Sequence, residues 1–370
     1  MSDVVKKPRL EWLDALRGFT MILVIANHVW GFGFGLTPKV SSSMQFLIIF
    51  RMPLFFFVSG FLAYKIGLEW NLKTLGNLLA KKIRVQTIPT VVFFLLGAVI
   101  LGKKFEPTVM TWLESPMKGG YWFTLVLLYM FIVYYLFCYV EGKLQAKFPA
   151  LRLPDGKWSW VPIAMLFLVA MCLYETCYQP KYFTWAVGRK GPHNLFMSYT
   201  SFDQLFMYLP FFLYGNIVRR YWDQMQRLMD TKWFYPIIVV IVIFAALDSM
   251  KWHTLRMAWA IIPLTLARFI LLTMVFMYFR HYQQYFTQRT IIGTTLQYIG
   301  RRTLDIYLIH YLFLPNLPTI GSFFNQYRHN FAIDTTLSIF IALIVIGFSI
   351  ITSNILRVSP FFKKWLFGRS

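Results

Sequence analysis

The sequence predicts an all-α fold: a polytopic membrane helix bundle of about ten transmembrane helices, one integral membrane domain over residues 1–370 with both termini in the cytoplasm. Three observations carry this. The 370 residues are 58% hydrophobic and 19% aromatic but only 14% charged, with mean hydropathy +0.54, too little charged surface to keep a chain of this size dispersed in water. The apolar residues come in runs of roughly 20, the helix length that crosses a hydrocarbon core of about 30 Å. The runs are too long for strands and lack the alternation of a barrel. A cytosolic enzyme, a secreted disulfide scaffold and a disordered chain are excluded together.

In chain order the runs fall near 12–34, 44–64, 86–102, 121–140, 159–177, 202–218, 235–250, 256–279, 298–315 and 335–356. The first carries Asp14 and Arg17 at its start and is not followed by a small-residue cleavage pattern, so it is expected to stay as a helix rather than act as a signal peptide. The second contains Pro53, the third follows a basic cluster, the fourth opens on Tyr121-Trp122-Phe123, and the sixth holds Pro210. No internal repeat, low-complexity stretch or long linker divides them, and no soluble second domain is expected. Loop charges orient the bundle. With the amino terminus inside, 24 of the 37 lysines and arginines fall in inner segments and ten in outer ones, while Arg17, Arg51 and Arg268 lie within helices. That bias predicts cytoplasmic termini and an even number of spans.

The formal net charge of +22 would suggest nucleic acid in a soluble protein. In a bundle it implies loops against anionic lipid head groups and an anionic ligand, with no nucleic acid partner. Cys138, Cys172 and Cys177 have no metal-ligand spacing and read as packing residues, and no metal site is expected.

An ionisable residue inside a spanning helix costs several kcal/mol unless it is paired or wetted, which makes each a candidate for function. The opening helix runs Leu13-Asp14-Ala15-Leu16-Arg17-Gly18 to Asn27-His28. Arg17 and His28 are eleven residues apart, which returns to within about 20° of the same face at about 16 Å along the axis. Asp14 is placed to pair with Arg17 at i, i+3. The plainer alternative is an interfacial ion pair and a histidine bonded across the bundle.

The second place is Phe50-Arg51-Met52-Pro53, a cation beside a helix-bending proline. A kinked helix with an interfacial charge explains it equally, and Ser59-Gly60 suits close helix packing. Third, Lys81-Lys82-Ile83-Arg84 stands before Pro89 at the mouth of the third run. A positive-inside anchor accounts for such a cluster, and so does a site for nucleotide phosphates. Fourth, Arg301-Arg302 leads into Thr303, Tyr307 and His310, which follow at spacings of four and three and share one helical stripe. Helix-to-helix polar contacts are the alternative there.

These residues together resemble acyltransferase family 3, the membrane O-acyltransferases of bacterial surface glycans. The resemblance runs over nearly the whole chain. It rests on Leu13 to Gly18 with Arg17-x10-His28, Met52-Pro53-Leu54-Phe55-Phe56 to Ser59-Gly60, the basic pair around Ile83, Tyr121-Trp122-Phe123, Pro210 to Gly215, and Tyr307-Leu308-Ile309-His310. It implies a donor, acetyl-coenzyme A or another acyl-CoA, held from the cytoplasmic side. It also implies an acceptor hydroxyl on a glycan or lipid-linked sugar, and a bacterial inner (cytoplasmic) membrane. Arg17 and His28 match the family's essential arginine and histidine. The family's Arg-x-Arg element stands here as Lys82-Ile83-Arg84, so one guanidinium fork is replaced by an ammonium.

Acyl transfer from a thioester to an alcohol needs a base, an oxyanion stabiliser and a held leaving group. His28, with an ordinary imidazole pKa of about 6.5, is the expected base, and Arg17 with Asp14 steadies it or the pantetheine arm. Lys81, Lys82 and Arg84 are expected on the coenzyme A phosphates. Arg51, Trp122, Tyr307 and His310 are expected to line the chamber or orient the acceptor. A covalent acyl-histidine and direct transfer require the same imidazole. The alternatives to an enzyme are a multi-spanning transporter of a small anionic or acylated solute, which would share the intramembrane charges and the broken helix, and a structural scaffold.

Overall fold

The computed structural model of the chain describes residues 10–36, 42–102, 104–153, 156–178, 195–249, 264–326 and 331–367. Among these the architecture is all-helical, with no strand. Among the described residues, five helical stretches are long and apolar enough to cross a membrane: Glu11–Gly33, Phe46–Ala63, Leu72–Leu101, Trp122–Lys147 and Ile333–Leu356. Val161–Thr176 and Thr303–Phe313 are shorter apolar stretches. Lys6, Lys7, Arg9, Lys39, Lys103, Lys181, Arg189, Lys190, Lys251, Arg256, Arg328 and Arg369, with most of the expected outer segment 179–201 and the start of the run at 256–279, lie outside the described residues.

The helices are α1 Glu11–His28, α2 Ser42–Ala63, α3 Leu72–Lys82, α4 Ile88–Leu101, α5 Phe105–Glu114, α6 Trp122–Lys147, α7 Val161–Leu173, α8 Leu195–Thr200 and α9 Phe202–Arg220. They continue as α10 Trp222–Met229, α11 Phe234–Ser249, α12 Leu264–His281, α13 Ile291–Arg301, α14 Thr303–Ile309, α15 Pro318–Gln326, α16 Phe331–Leu356 and α17 Pro360–Phe367.

Three sequence expectations change. The helix of the third run begins at Leu72 rather than near 86, because Asn71 caps it by accepting a hydrogen bond from the Thr74 amide at 2.8 Å. It then continues through a π-helical turn, Ile83–Thr87, into α4. The basic cluster therefore sits within a continuous helical stretch and not at a loop mouth.

The ninth run is not one continuous helix. Arg302 leaves the helical region (φ −109°, ψ 12°) and divides it into α13 and α14, and a 3-10 turn, His310–Phe313, follows. The stripe of Thr303, Tyr307 and His310 survives because it starts after the break. Finally, the outer segment 102–120 is not a plain loop, since it contains α5 and buries Lys118, whose side chain donates to the carbonyls of Leu113, Ser115 and Ser198. Of the cysteines, Cys138 is buried as expected of a packing residue and Cys172 is exposed.

The chain divides into two compact units, one of Met1–Phe55 with Gln226–Thr352 and one of Phe56–Met225 with Ser353–Ser370. In the first, α1 packs chiefly on α13 and also on α12, where Trp12 meets Phe276 edge-on at 5.1 Å. Gly18 rests on the Leu296 carbonyl, and Gly300 rests on the Asp14 carbonyl and the Gly18 amide, so neither position has room for a Cβ. Small residues let backbones touch where lipid supplies no hydrophobic drive for association.

The second unit repeats the device. Gly60 of α2 lies on the Phe212 backbone and Gly215 of α9 on that of Phe57. Around this contact stand aromatic side chains, Phe56 with Phe123 and Tyr208 and Phe131 with Phe212. A buried Arg220 makes a two-pronged pair with Glu141, at 2.5 and 3.0 Å, which satisfies both charges at once. A cavity of about 360 Å³ lies among α4, α5 and α6, with Thr90, Phe94, Val109, Tyr121 and Thr124 in its wall.

Candidate active site

In the first unit, the polar face of α1 meets the polar stripe of α14. Arg17 Nη2 donates to Thr303 Oγ1 at 2.8 Å, and His28 Nδ1 lies 2.8 Å from His310 Nε2. The amino-terminal member of one stripe meets that of the other, so the two helices run parallel. Arg17 Nη1 is 3.5 Å from Asp14 Oδ1, the i, i+3 pair expected from the sequence, and the Asp14 side chain is only 8% exposed.

The sequence reading missed the second cation on that carboxylate. Arg301 Nε is 3.5 Å from Asp14 Oδ2, and Arg301 also donates to Gln297 Oε1 at 2.8 Å. Gln297 in turn donates to the Phe286 carbonyl at 2.7 Å, which ties the carboxylate to a fixed backbone. Arg302 pairs with Asp305 at 3.3 Å. The only advance signal for Arg301 was its place beside the stripe.

At the other end of α1, the chain passes directly from His28 into a π-helical turn, Val29–Gly33, a feature that recurs at functional sites. Gly33 closes it by accepting a hydrogen bond from the Leu317 amide at 2.7 Å. His28 is half-buried and His310 fully buried. The two imidazoles are nearly parallel, 15° apart with centroids 5.0 Å apart, as the in-plane contact of their nitrogens requires, and Tyr311 lies against both, at 4.0 Å from His310 and 5.3 Å from His28. Phe32 meets His28 edge-on at 5.7 Å. Tyr307 is buried with its ring 6.2 Å from that of His310. Arg51 lies on α2 in the same unit. Six expected residues, Asp14, Arg17, His28, Arg51, Tyr307 and His310, thus belong to one unit. Tyr311 was not expected, although it directly follows His310.

The other expected residues belong to the second unit. Lys81 and Arg84 are exposed, and Lys82 Nζ stands 3.4 Å above the Phe131 ring, a cation–π contact. The π-helical turn carrying Arg84 is tied to α6 by Gln86, whose side chain donates to the Thr124 carbonyl at 2.7 Å. Trp122 stacks on Tyr208 at 5.6 Å and faces Phe56 at 6.2 Å. A fixed imidazole with an arginine further along its helix suits proton transfer beside a polar reactant, and exposed cations suit phosphates.

A family model described as an acyltransferase domain matches residues 10–367. Among curated proteins, the chain is similar to glucans biosynthesis protein C of Escherichia coli (strain SMS-3-5 / SECEC). The two are 22% identical over 236 residues, which is 58% of this chain and 59% of the relative. The protein of the same name from Salmonella enteritidis PT4 (strain P125109) is likewise 22% identical over 236 residues, with the same shares. The chain thus spans about 59% of the length of these relatives. No solved structure matches it.

Proposed function

Because the chain belongs to acyltransferase family 3, whose model spans residues 10–367, we propose that it is a membrane O-acyltransferase using cytoplasmic acyl-CoA. The acyl group, acetyl in the simplest case, passes to a hydroxyl of a carbohydrate or glycolipid. Both compact units serve one domain of about ten spans, with cytoplasmic termini, in a bacterial inner membrane. The observation that carries this reading is the double contact of α1 with α14, Arg17 on Thr303 and His28 on His310, each at 2.8 Å. It holds an imidazole and a guanidinium on one face of an apolar helix, where ionisable residues are rare and mark functional sites by default. The glucans in the relatives' names favour a glycan acceptor.

In this mechanism His28 takes the proton of the acceptor hydroxyl as its oxygen attacks the thioester carbonyl. Arg17, held by Asp14 and Thr303, steadies the polar end of the α1 face. Lys81, Lys82 and Arg84 hold the donor phosphates, Arg51 and Tyr307 of the first unit orient the acceptor, and Trp122 of the second is assigned to the same substrate. The test uses the full chain in nanodiscs with isotopically labelled acetyl-CoA and a panel of glycans and glycolipids. Wild type is expected to label at least one acceptor, and His28→Ala to lose about 10²–10⁴-fold in turnover while still binding acetyl-CoA. A wild type that neither binds nor uses any acyl-CoA would falsify the reading.

A further inference from the structure

His310 lies in a chain of hydrogen bonds with one end fixed by the backbone. Its Nδ1 is 2.8 Å from the Tyr307 carbonyl oxygen and 3.1 Å from that of Ile306. Both carbonyls belong to the last turn of α14; that of Ile306 already accepts from the His310 amide, and a carbonyl oxygen keeps a second lone pair to offer. A carbonyl can only accept, so Nδ1 of His310 carries the hydrogen, and in the neutral ring Nε2 is then bare. That bare nitrogen is the one 2.8 Å from His28 Nδ1. The hydrogen between the rings therefore sits on His28 Nδ1, and the lone pair of His28 is left on Nε2. Tyr311 against both rings and Phe32 at the edge of His28 oppose the ring flip that would exchange the two nitrogens.

We propose that His310 is a positioning residue that fixes the tautomer of His28, so that Nε2 of His28 is the atom that receives the acceptor's proton. This rests on the reading of His28 as base. With both nitrogens engaged and no exposed surface, His310 serves the reaction through His28 and not by touching the acceptor. The acceptor's O–H bond breaks with its proton passing to His28 Nε2, and its oxygen bonds to the thioester carbonyl carbon. The C–S bond then breaks, and the departing thiolate takes the proton back from Nε2. Throughout, His28 Nδ1–H stays donated to His310 Nε2, so no proton passes through His310. An orienting partner of this kind has a large kinetic effect in other acyl-transfer sites, where the wrong tautomer leaves no lone pair facing the substrate.

The test has a spectroscopic arm and a kinetic arm. In the full chain labelled with ¹⁵N-histidine in nanodiscs, long-range ¹H–¹⁵N correlations report each ring's tautomer, and two of the six histidines are assigned by the variants His28→Gln and His310→Gln. Both His28 and His310 are expected as the Nδ1–H form, the less favoured one for a free imidazole. In turnover assays, His310→Leu removes the acceptor for His28 Nδ1–H, whereas His310→Gln keeps one in its side-chain carbonyl. The leucine variant is expected to lose about 100-fold in kcat and the glutamine variant to recover at least about tenfold of that loss, both with unchanged acyl-CoA binding. His28 found as the Nε2–H form, equal activity of the two variants, or a rise in acceptor KM with kcat kept would each overturn the proposal. If the wild type transfers no acyl group, the acyltransferase reading fails, and the tautomer assignment is decided by the spectra alone.

Discussion

The histidine pair of the first unit and the basic cluster of the second solve opposite problems. Along the α1–α14 contact, three polar groups are held at close range: His28 by His310 at 2.8 Å, His310 by the Tyr307 carbonyl at 2.8 Å, and Arg17 by Thr303 at 2.8 Å. Around Arg84, the side chains are long and exposed, and Lys82 is steadied by an aromatic face. Proton transfer depends steeply on distance and angle, so its groups must be held. Phosphates spread their charge over several oxygens and are served by cations that adapt. The fold thus provides side-chain partners where chemistry is expected and leaves cations facing outward where a charged ligand is expected.

The sharpest way to break this contrast is one conservative substitution made in both places. Arg17→Lys keeps a charge but loses the fork that reaches Thr303 and Asp14 together. We expect a loss of about 100-fold in kcat with acyl-CoA affinity within about twofold, as no donor contact is removed. Arg84→Lys should be nearly silent in both. Steady-state kinetics with the donor varied separates the two, and a tolerant Arg17 would remove the distinction between a held and an adaptable region.

Next in size is the scaffold beneath the held region. Gly300→Ala would drive a methyl group into the Asp14 carbonyl and the Gly18 amide, both backbone atoms that cannot rotate away. We expect a loss of about 1–3 kcal/mol in stability, read as a lower melting midpoint in detergent. Turnover should fall as α1 shifts under His28, with acyl-CoA binding kept by the second unit. Gly60→Ala, against the Phe212 backbone of the second unit, should destabilise by a similar amount. Equal melting curves for Gly300→Ala and wild type would show that α1 and α13 tolerate separation.

Much of this was legible in the sequence, and what was missed has physical causes. The helical class and the face shared by Arg17 and His28 follow from hydropathy and the 3.6-residue period. So does the stripe of Thr303, Tyr307 and His310. That the two stripes pair with each other was not legible, because helical periodicity says which residues share a face and nothing about which face it meets. The break at Arg302 carries no proline or glycine signal at that residue. The π-helical turns at Val29–Gly33 and Ile83–Thr87 add one residue per turn without any change in composition. Lys118 lies between the third and fourth apolar runs, where the sequence suggests a loop, but its ammonium donates to the nearby carbonyls of Leu113 and Ser115 and to that of Ser198 in α8, a contact that only the folded backbone creates. The Ser59-Gly60 pair suggests close packing, and Gly60 does lie on the Phe212 backbone; Gly215, which lies on the Phe57 backbone in the same helix contact, carries no such signal beyond its place in a motif.

Among substitutions that remove a group, the smallest expected effect lies in the exposed cluster. Arg84→Ala removes one solvent-facing cation from a set of three, and exposed ion pairs are worth about 1 kcal/mol or less each. The donor KM should therefore rise by about fivefold, with kcat unchanged once the donor saturates. The change should also shrink with salt, because charges at the surface are screened beyond about 8 Å at physiological ionic strength. Donor KM measured at low and high salt for wild type and Arg84→Ala should converge as salt rises. A loss in kcat that salt leaves untouched would mean that Arg84 holds the reacting end of the donor at close range. The cluster would then belong with the histidine pair among the rigid parts of the molecule.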